Sequence, residues 1–181
     1  MEVSRDRVEK VVREVLDGPG ADAAAAQGRL TVALGSDHAG FLLKETLKRY
    51  MVEELGVSVR DVGPASDAPC DYPDFAALVA RLVAVGECQR GIVVDGVGVG
   101  SAMAANKIGG VRAACCHDVR TAVSSRSHND ANVLTMGAGV VGRGLARQMV
   151  RAWLATEFEG GRHERRVAKI SDLEKGWTAR S

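Results

Sequence analysis

The chain has 181 residues, 24 basic against 23 acidic side chains, and a net charge of +1. That length fits one domain with a short appendage, and the charge balance argues against a binder of nucleic-acid backbones, which needs a surplus of cations. No apolar run approaches the ~20 residues of a membrane span, and the charged start (Glu2, Arg5, Asp6, Arg7) has no apolar signal core, so a cytoplasmic protein is expected.

Residues 1–29 stand apart from the rest. Val8, Val11, Val12, Val15 and Leu16 recur at helical spacing behind Ser4, a suitable N-cap, and Gly18-Pro19-Gly20 stops the helix. A small-residue linker, 21–28, joins this amphipathic segment to a body spanning 30–181.

The body alternates strands and helices. Strands are predicted at 30–34, 57–62, 91–94, 111–115 and 133–136, and helices at 41–54, 74–85, 101–107, 118–127 and 142–156. Five such repeats predict a parallel five-stranded sheet in an α/β, Rossmann-like three-layer αβα sandwich. In such sheets ligands bind beyond the carboxyl ends of the strands, so the loops that follow strands should carry the chemistry.

The third of these loops, Gly96-Val97-Gly98-Val99-Gly100-Ser101, opens a helix. Its third glycine comes one residue too early for a dinucleotide fingerprint, and it follows the third strand rather than the first. The glycines suit a cradle of N–H groups for an anion or an enolate, or else a tight structural turn. Asp95 precedes them, placed either to take a proton beside a carbonyl or to brace the loop. Asp37-His38 and His117-Asp118 follow other strands, whereas His128-Asn129-Asp130 precedes the fifth. No helical His-x-x-x-His pair occurs, so no metal is expected. Arg162, His163, Arg165 and Arg166 form a phosphate clamp or a solvated basic tail. The cysteines at 70, 88, 115 and 116 lack metal spacing and read as reduced thiols packed as small hydrophobes.

Several segments in register resemble one family. They are 35–40 (Gly-Ser-Asp-His-Ala-Gly), Asp71-Tyr72-Pro73, Ala104-Ala105-Asn106-Lys107, 125–132 (Ser-Arg-Ser-His-Asn-Asp-Ala-Asn) and Glu159-Gly160-Gly161-Arg162-His163. Over about residues 30–170 the chain resembles the ribose-5-phosphate isomerase B family and its galactose-6-phosphate isomerase relatives. The resemblance implies a cofactor-free aldose–ketose isomerase, working as a homodimer or homotetramer with active sites shared between subunits. It implies that Asp37 and Tyr72 touch sugar hydroxyls and that His128 opens the furanose ring. His38, Arg162 and Arg166 would hold phosphate, the arginines from the partner subunit. Gly96, Gly98 and Gly100 would donate N–H groups to the enediolate, and Asn129 would line the pocket.

Two departures qualify that picture. Many members carry a cysteine base where this chain has Asp95, and others a glutamate at the place of Ser101, so Asp95 becomes the expected base, with Ser101 beside it. Gly139 stands where members often have a phosphate-binding arginine. Ribose-5-phosphate is the expected substrate, with another sugar phosphate or a non-catalytic, sugar-phosphate-binding partner subunit as alternatives. The N-terminal segment resembles the encapsulation peptides of bacterial microcompartment cargo, which implies a shell-protein partner for residues 4–17; a helix packed on its own domain or across a dimer is the alternative.

Overall fold

The computed structural model describes residues 30–178, with side chains to 175. The N-terminal amphipathic segment, its linker and their division from the body lie outside the described residues.

Five strands form one parallel sheet: β1 (Thr31–Ser36), β2 (Ser58–Gly63), β3 (Arg90–Asp95), β4 (Ala113–Cys115) and β5 (Val133–Gly137), in the order β2-β1-β3-β5-β4. The helices are α1 (Phe41–Glu53), α2 (Tyr72–Ala84), α3 (Val99–Ala105), α4 (Val119–Ser127), α5 (Arg143–Ala155) and α6 (Glu164–Thr178), the last preceded by a 3-10 turn, Gly161–His163. None of them is long and apolar enough to cross a membrane.

The inner strands β1, β3 and β5 are mostly apolar and buried because helices cover both faces of the sheet, whereas the edge strands β2 and β4 are only partly buried. Alternate residues serve opposite cores. Val32, Leu34, Ile92, Val94, Leu134 and Met136 pack with Leu47 of α1 and Met149 and Trp153 of α5. Ala33, Val93 and Val133 pack with Ala76, Val79 and Val83 of α2 and Ala105 of α3. Trp153 is wholly buried, and its indole N–H donates to Ser125 Oγ at 3.2 Å, which satisfies its one polar atom. The α1 face also buries the ammonium of Lys44, which donates to both carboxylate oxygens of Asp61 at 2.9–3.0 Å and to the Pro64 carbonyl. A cation so deep is tolerated only because it is paired.

Most element ends fall within two residues of expectation, and two helix starts differ for a clear reason. Helix α2 begins at Tyr72 rather than at 74, because Pro73 sits in the first turn, where its missing N–H costs nothing. Helix α3 begins at Val99, two residues early, since Gly98 (φ +84°) reverses the chain directly into it. The tail read as a basic cluster spans the 3-10 turn, with Arg162 and His163, and the start of helix α6, with Arg165 and Arg166. Of the four thiols expected inside, Cys88 and Cys116 are buried, whereas Cys70 and Cys115 are partly exposed. Burial pushes the Cys88 thiol up to about 11, so it stays protonated at neutral pH.

Candidate active site

Four strand ends and the start of α2 meet at the carboxyl edge of the sheet. Beyond β1, the Asp37 N–H donates to the Val94 carbonyl at 3.2 Å, and the buried Asp37 carboxylate accepts from Gly40 N at 2.8 Å. Gly40 is required here, because a Cβ would lie 2.0 Å from the Val94 carbonyl oxygen. His38 is exposed, and its Nδ1 lies 3.1 Å from the Cys70 carbonyl oxygen and 3.3 Å from the Cys70 nitrogen. That contact ties the long loop before α2 to the loop after β1. Tyr72, at the first turn of α2, lies over the glycine loop, so closely that a Cβ on Gly100 would meet its ring at 2.6 Å.

The glycine loop is organised around Asp95. One carboxylate oxygen accepts from Val97 N at 2.8 Å and from Gly98 N; the other accepts from Ser101 N at 3.0 Å and from the Ser101 hydroxyl. A carboxylate has about four lone-pair positions, and here four donors occupy them. Both Asp95 and Ser101 are buried. The roles expected from sequence shift accordingly. As it stands, Asp95 braces the loop and presents no unoccupied lone pair to a substrate. The N–H groups of Gly98 and Ser101 point at Asp95 rather than outward. Gly139 N donates to the Gly96 carbonyl at 3.0 Å, and His117 Nε2 lies 3.0 Å from the Val97 carbonyl oxygen, so β4 and β5 hold the loop from behind.

The other expected residues lie at the opposite edge. His128 ends α4, and α4 runs from the carboxyl end of β4 back to the amino end of β5, where Val133 pairs with Gly91 and Ala113, near the starts of β3 and β4. Its ring stacks on that of His163, with centroids 4.3 Å apart and planes 4° from parallel. Glu159 reaches the same spot, and its N–H donates to the Ser127 carbonyl at 3.0 Å. Asn129 is exposed beside it and lines a cavity of about 260 Å³ with Asn106, Arg112 and Ile170. Arg162 and Arg166 are exposed, and neither is ion-paired with a carboxylate among the described residues. His163 is buried, and its pKa is lowered first by that burial and then by the charges of His128, Arg162 and Arg166.

One chain therefore brings Asp37, His38, Tyr72, Asp95, the glycine loop and Ser101 together, and separates them from His128, Asn129, Arg162 and Arg166. The involvement of Glu159 was not read from sequence, and His163 was read only as part of a basic cluster. Gly160-Gly161 is the signal that could have found them: both glycines adopt positive φ (+66° and +56°), which reverses the chain so that residues four apart face one point.

Residues 32–170 match the ribose/galactose isomerase family. The chain belongs to that family. It is 47% identical over 144 residues to the ribose-5-phosphate isomerase B of Escherichia coli, covering 80% of this chain and 96% of that one. It is 41% identical over 147 residues to the D-erythrulose-4-phosphate isomerase of Pectobacterium atrosepticum, covering 80% and 95%. The solved ribose-5-phosphate isomerase B of Clostridium thermocellum superposes with a TM-score of 0.80 at 46% identity, covering 82% of this chain and 99% of that one. Every candidate site residue falls inside the stretch that matches the isomerase family.

Proposed function

We propose that this family member interconverts an aldose phosphate and its ketose isomer, with ribose-5-phosphate and ribulose-5-phosphate as the pair. The observation that carries the reading is the family match over residues 32–170, which contains both edge clusters. The chemistry fits them. Moving a carbonyl from C1 to C2 needs one group to take a proton from carbon and return it, donors for the developing oxyanion, and an anchor for the phosphate. Anchoring the phosphate supplies binding energy remote from the reacting carbons.

In this reading Asp37 and Tyr72 hold sugar hydroxyls and His38 faces the phosphate. Because His128, Asn129, Arg162 and Arg166 sit at the far edge of the sheet, a second copy supplies them, so each site is built by two subunits. Exposed Val97, Val99, Met103 and Val140 give the carboxyl edge an apolar rim that such a partner would cover. His128 opens the furanose ring. Asp95 becomes the base when the Ser101 hydroxyl rotates away from its oxygen, a single side-chain torsion that frees one lone pair. The N–H groups of Gly96 and Gly100, which do not donate to Asp95, then remain for the enediolate.

A second reading, a sugar-phosphate-binding subunit without turnover, draws on the fully engaged Asp95 carboxylate. Gly139, where an arginine would otherwise bind phosphate, leaves room for a tetrose or hexose phosphate. The deciding experiment assays the purified protein for ribose-5-phosphate to ribulose-5-phosphate conversion without added cofactor. Turnover is the expected result. Calorimetric binding of the sugar phosphate without conversion across tetrose, pentose and hexose phosphates would establish the binding-subunit reading instead.

Residues 4–17 are proposed, on sequence alone, to dock on a microcompartment shell protein. Deleting residues 1–20 should leave turnover intact and abolish co-purification with shell protein; unchanged co-purification would overturn the proposal.

A further inference from the structure

Asp95 carries two roles that conflict. It braces the glycine loop through the N–H groups of Val97, Gly98 and Ser101, and as the base it takes a proton from carbon. A carboxylate that accepts a proton loses its charge and one acceptor position. Hydrogen bonds to an ionised acceptor are roughly twice as strong as neutral ones. The brace therefore weakens just when the enediolate is formed and the N–H groups of Gly96 and Gly100 must already stand in place.

A second set of contacts holds the loop from the opposite side. Three consecutive carbonyls take part. That of Gly96 accepts from Gly139 N at 3.0 Å, and that of Val97 lies 3.0 Å from His117 Nε2. That of Gly98 accepts from the Thr135 hydroxyl at 2.7 Å and from Ala102 N at 3.2 Å. Two of these anchors are side chains. His117 is partly exposed, and it donates only when Nε2 carries the proton. Thr135 is wholly buried and is the one polar side chain of β5. It faces the side of the sheet where Val133 packs against α2 and α3. Its hydroxyl stays neutral throughout, and its β-branch leaves it little χ1 freedom.

The residue it holds is the hinge of the loop. Gly98 reverses the chain into α3 at φ +84°, and a Cβ there would lie 2.8 Å from the backbone of Met136, so only glycine fits. Glycine confines its own backbone least of all residues, so the orientation at this hinge has to be set from outside. The peptide unit is planar, so a fixed Gly98 carbonyl fixes the plane of the 98–99 peptide and the start of the turn that carries Gly100 N.

We propose that Thr135 is a positioning residue for the isomerase reaction. Its hydroxyl holds the Gly98 carbonyl whatever the protonation state of Asp95, and so keeps the loop N–H groups aligned on the enediolate while Asp95 carries the proton. Thr135 touches no reacting atom. The inference rests on the isomerase reading, with Asp95 as base and the glycine loop as oxyanion donor.

The test uses the full-length protein with Thr135→Val and Thr135→Ser, both checked for folding by circular dichroism. Valine matches the shape of threonine, and Ala102 N still bonds the Gly98 carbonyl, so no buried acceptor is orphaned. Thr135→Val should lower kcat about tenfold and leave KM within about twofold. Thr135→Ser keeps the hydroxyl and should stay within about threefold of wild type in kcat. Calorimetry supplies a second readout with two probes. A phosphorylated aldonohydroxamate, whose planar hydroxamate mimics the enediolate, should bind Thr135→Val about tenfold more weakly. Ribitol-5-phosphate, which has no carbonyl, should bind wild type and variant alike. A kcat of Thr135→Val within about twofold of wild type overturns the proposal. So does an equal loss in Thr135→Ser, or an equal loss of affinity for both probes, since either marks a packing role. A wild type without turnover on any sugar phosphate counts against the isomerase reading instead. The hydroxamate then decides the role of Thr135, and equal affinity in wild type and Thr135→Val, or no binding to either, overturns it.

Discussion

Asp95 has two demands on one carboxylate, and Ser101 separates them. The Ser101 hydroxyl fills one of the four acceptor positions, and its backbone N–H fills another. Ser101→Ala removes only the hydroxyl. If Asp95 is the base, the variant keeps or raises turnover, because one lone pair is already free. If the serine relays the proton, turnover falls by about tenfold to a hundredfold, within the usual range for one acid–base group. Asp95→Asn turns an amide toward N–H donors, so it should lose turnover by more than a hundredfold and also loosen the loop; circular dichroism and a denaturation midpoint measured alongside separate the two effects. Asp61 gives a cleaner electrostatic test. Burial raises its pKa, but hydrogen bonds from Lys48, Lys44 and Gly63 N outweigh that and hold it below the ordinary carboxylate value. A carboxyl more acidic in the folded state stabilises the fold above its unfolded pKa, and that contribution disappears as pH falls through the depressed value. Urea midpoints should therefore drop below about pH 4, and the drop should be shallower in Asp61→Asn. At pH 7 that variant leaves the buried Lys44 ammonium without its main partner and should cost about 3 kcal/mol.

At the scale of elements, close backbone approach decides which substitutions the fold tolerates. Gly40 begins α1 against the end of β3, and a methyl group there meets a backbone carbonyl that cannot move aside. Gly40→Ala should cost about 3 kcal/mol or more, as overpacking and backbone displacement do, and should show as a lowered urea midpoint. Gly100→Ala meets a partly exposed tyrosine ring instead. It should leave stability within about 1 kcal/mol and raise KM by displacing Tyr72, which steady-state kinetics would read. Short apolar runs between glycine-rich turns, alternating with helices, made the strands and their parallel pairing legible from sequence, though not their order in the sheet. Helix α6 was not legible: Val167, Ile170 and Leu173 recur at helical spacing, but the charges between them and the exposure of Ile170 and Leu173 resemble a solvated tail. The Asp95 network was half legible. A carboxylate before a glycine loop suggests bracing as strongly as catalysis, and only the three-dimensional path shows four donors turning inward.

The whole molecule poses the question of where one active site lies. The placement of His128 was legible in principle, because in a parallel sheet a residue that follows a helix returns to the amino edge, while the strand-following loops gather at the other. What no single chain encodes is how the two edges meet. In the symmetric dimer proposed above, the carboxyl edge of one copy would sit against the amino edge of the other, giving two sites per pair. Complementation tests this. His38→Ala and His128→Ala alter exposed or half-exposed side chains at opposite edges, so both variants should fold, and each should lose at least about tenfold in turnover. Unfolded together at equal concentration and refolded, they should pair at random, so about half the dimers are mixed. A mixed dimer places both lesions in one site and leaves the other intact. The mixture should therefore recover about a quarter of wild-type activity from two nearly inactive parents, with size-exclusion chromatography giving a dimer or a larger assembly throughout. Recovery that vanishes when the parents are merely mixed while folded would show that the intact site forms by exchange of subunits. Absence of recovery after refolding, with the assembled species present, would remove His128 from the site that His38 serves.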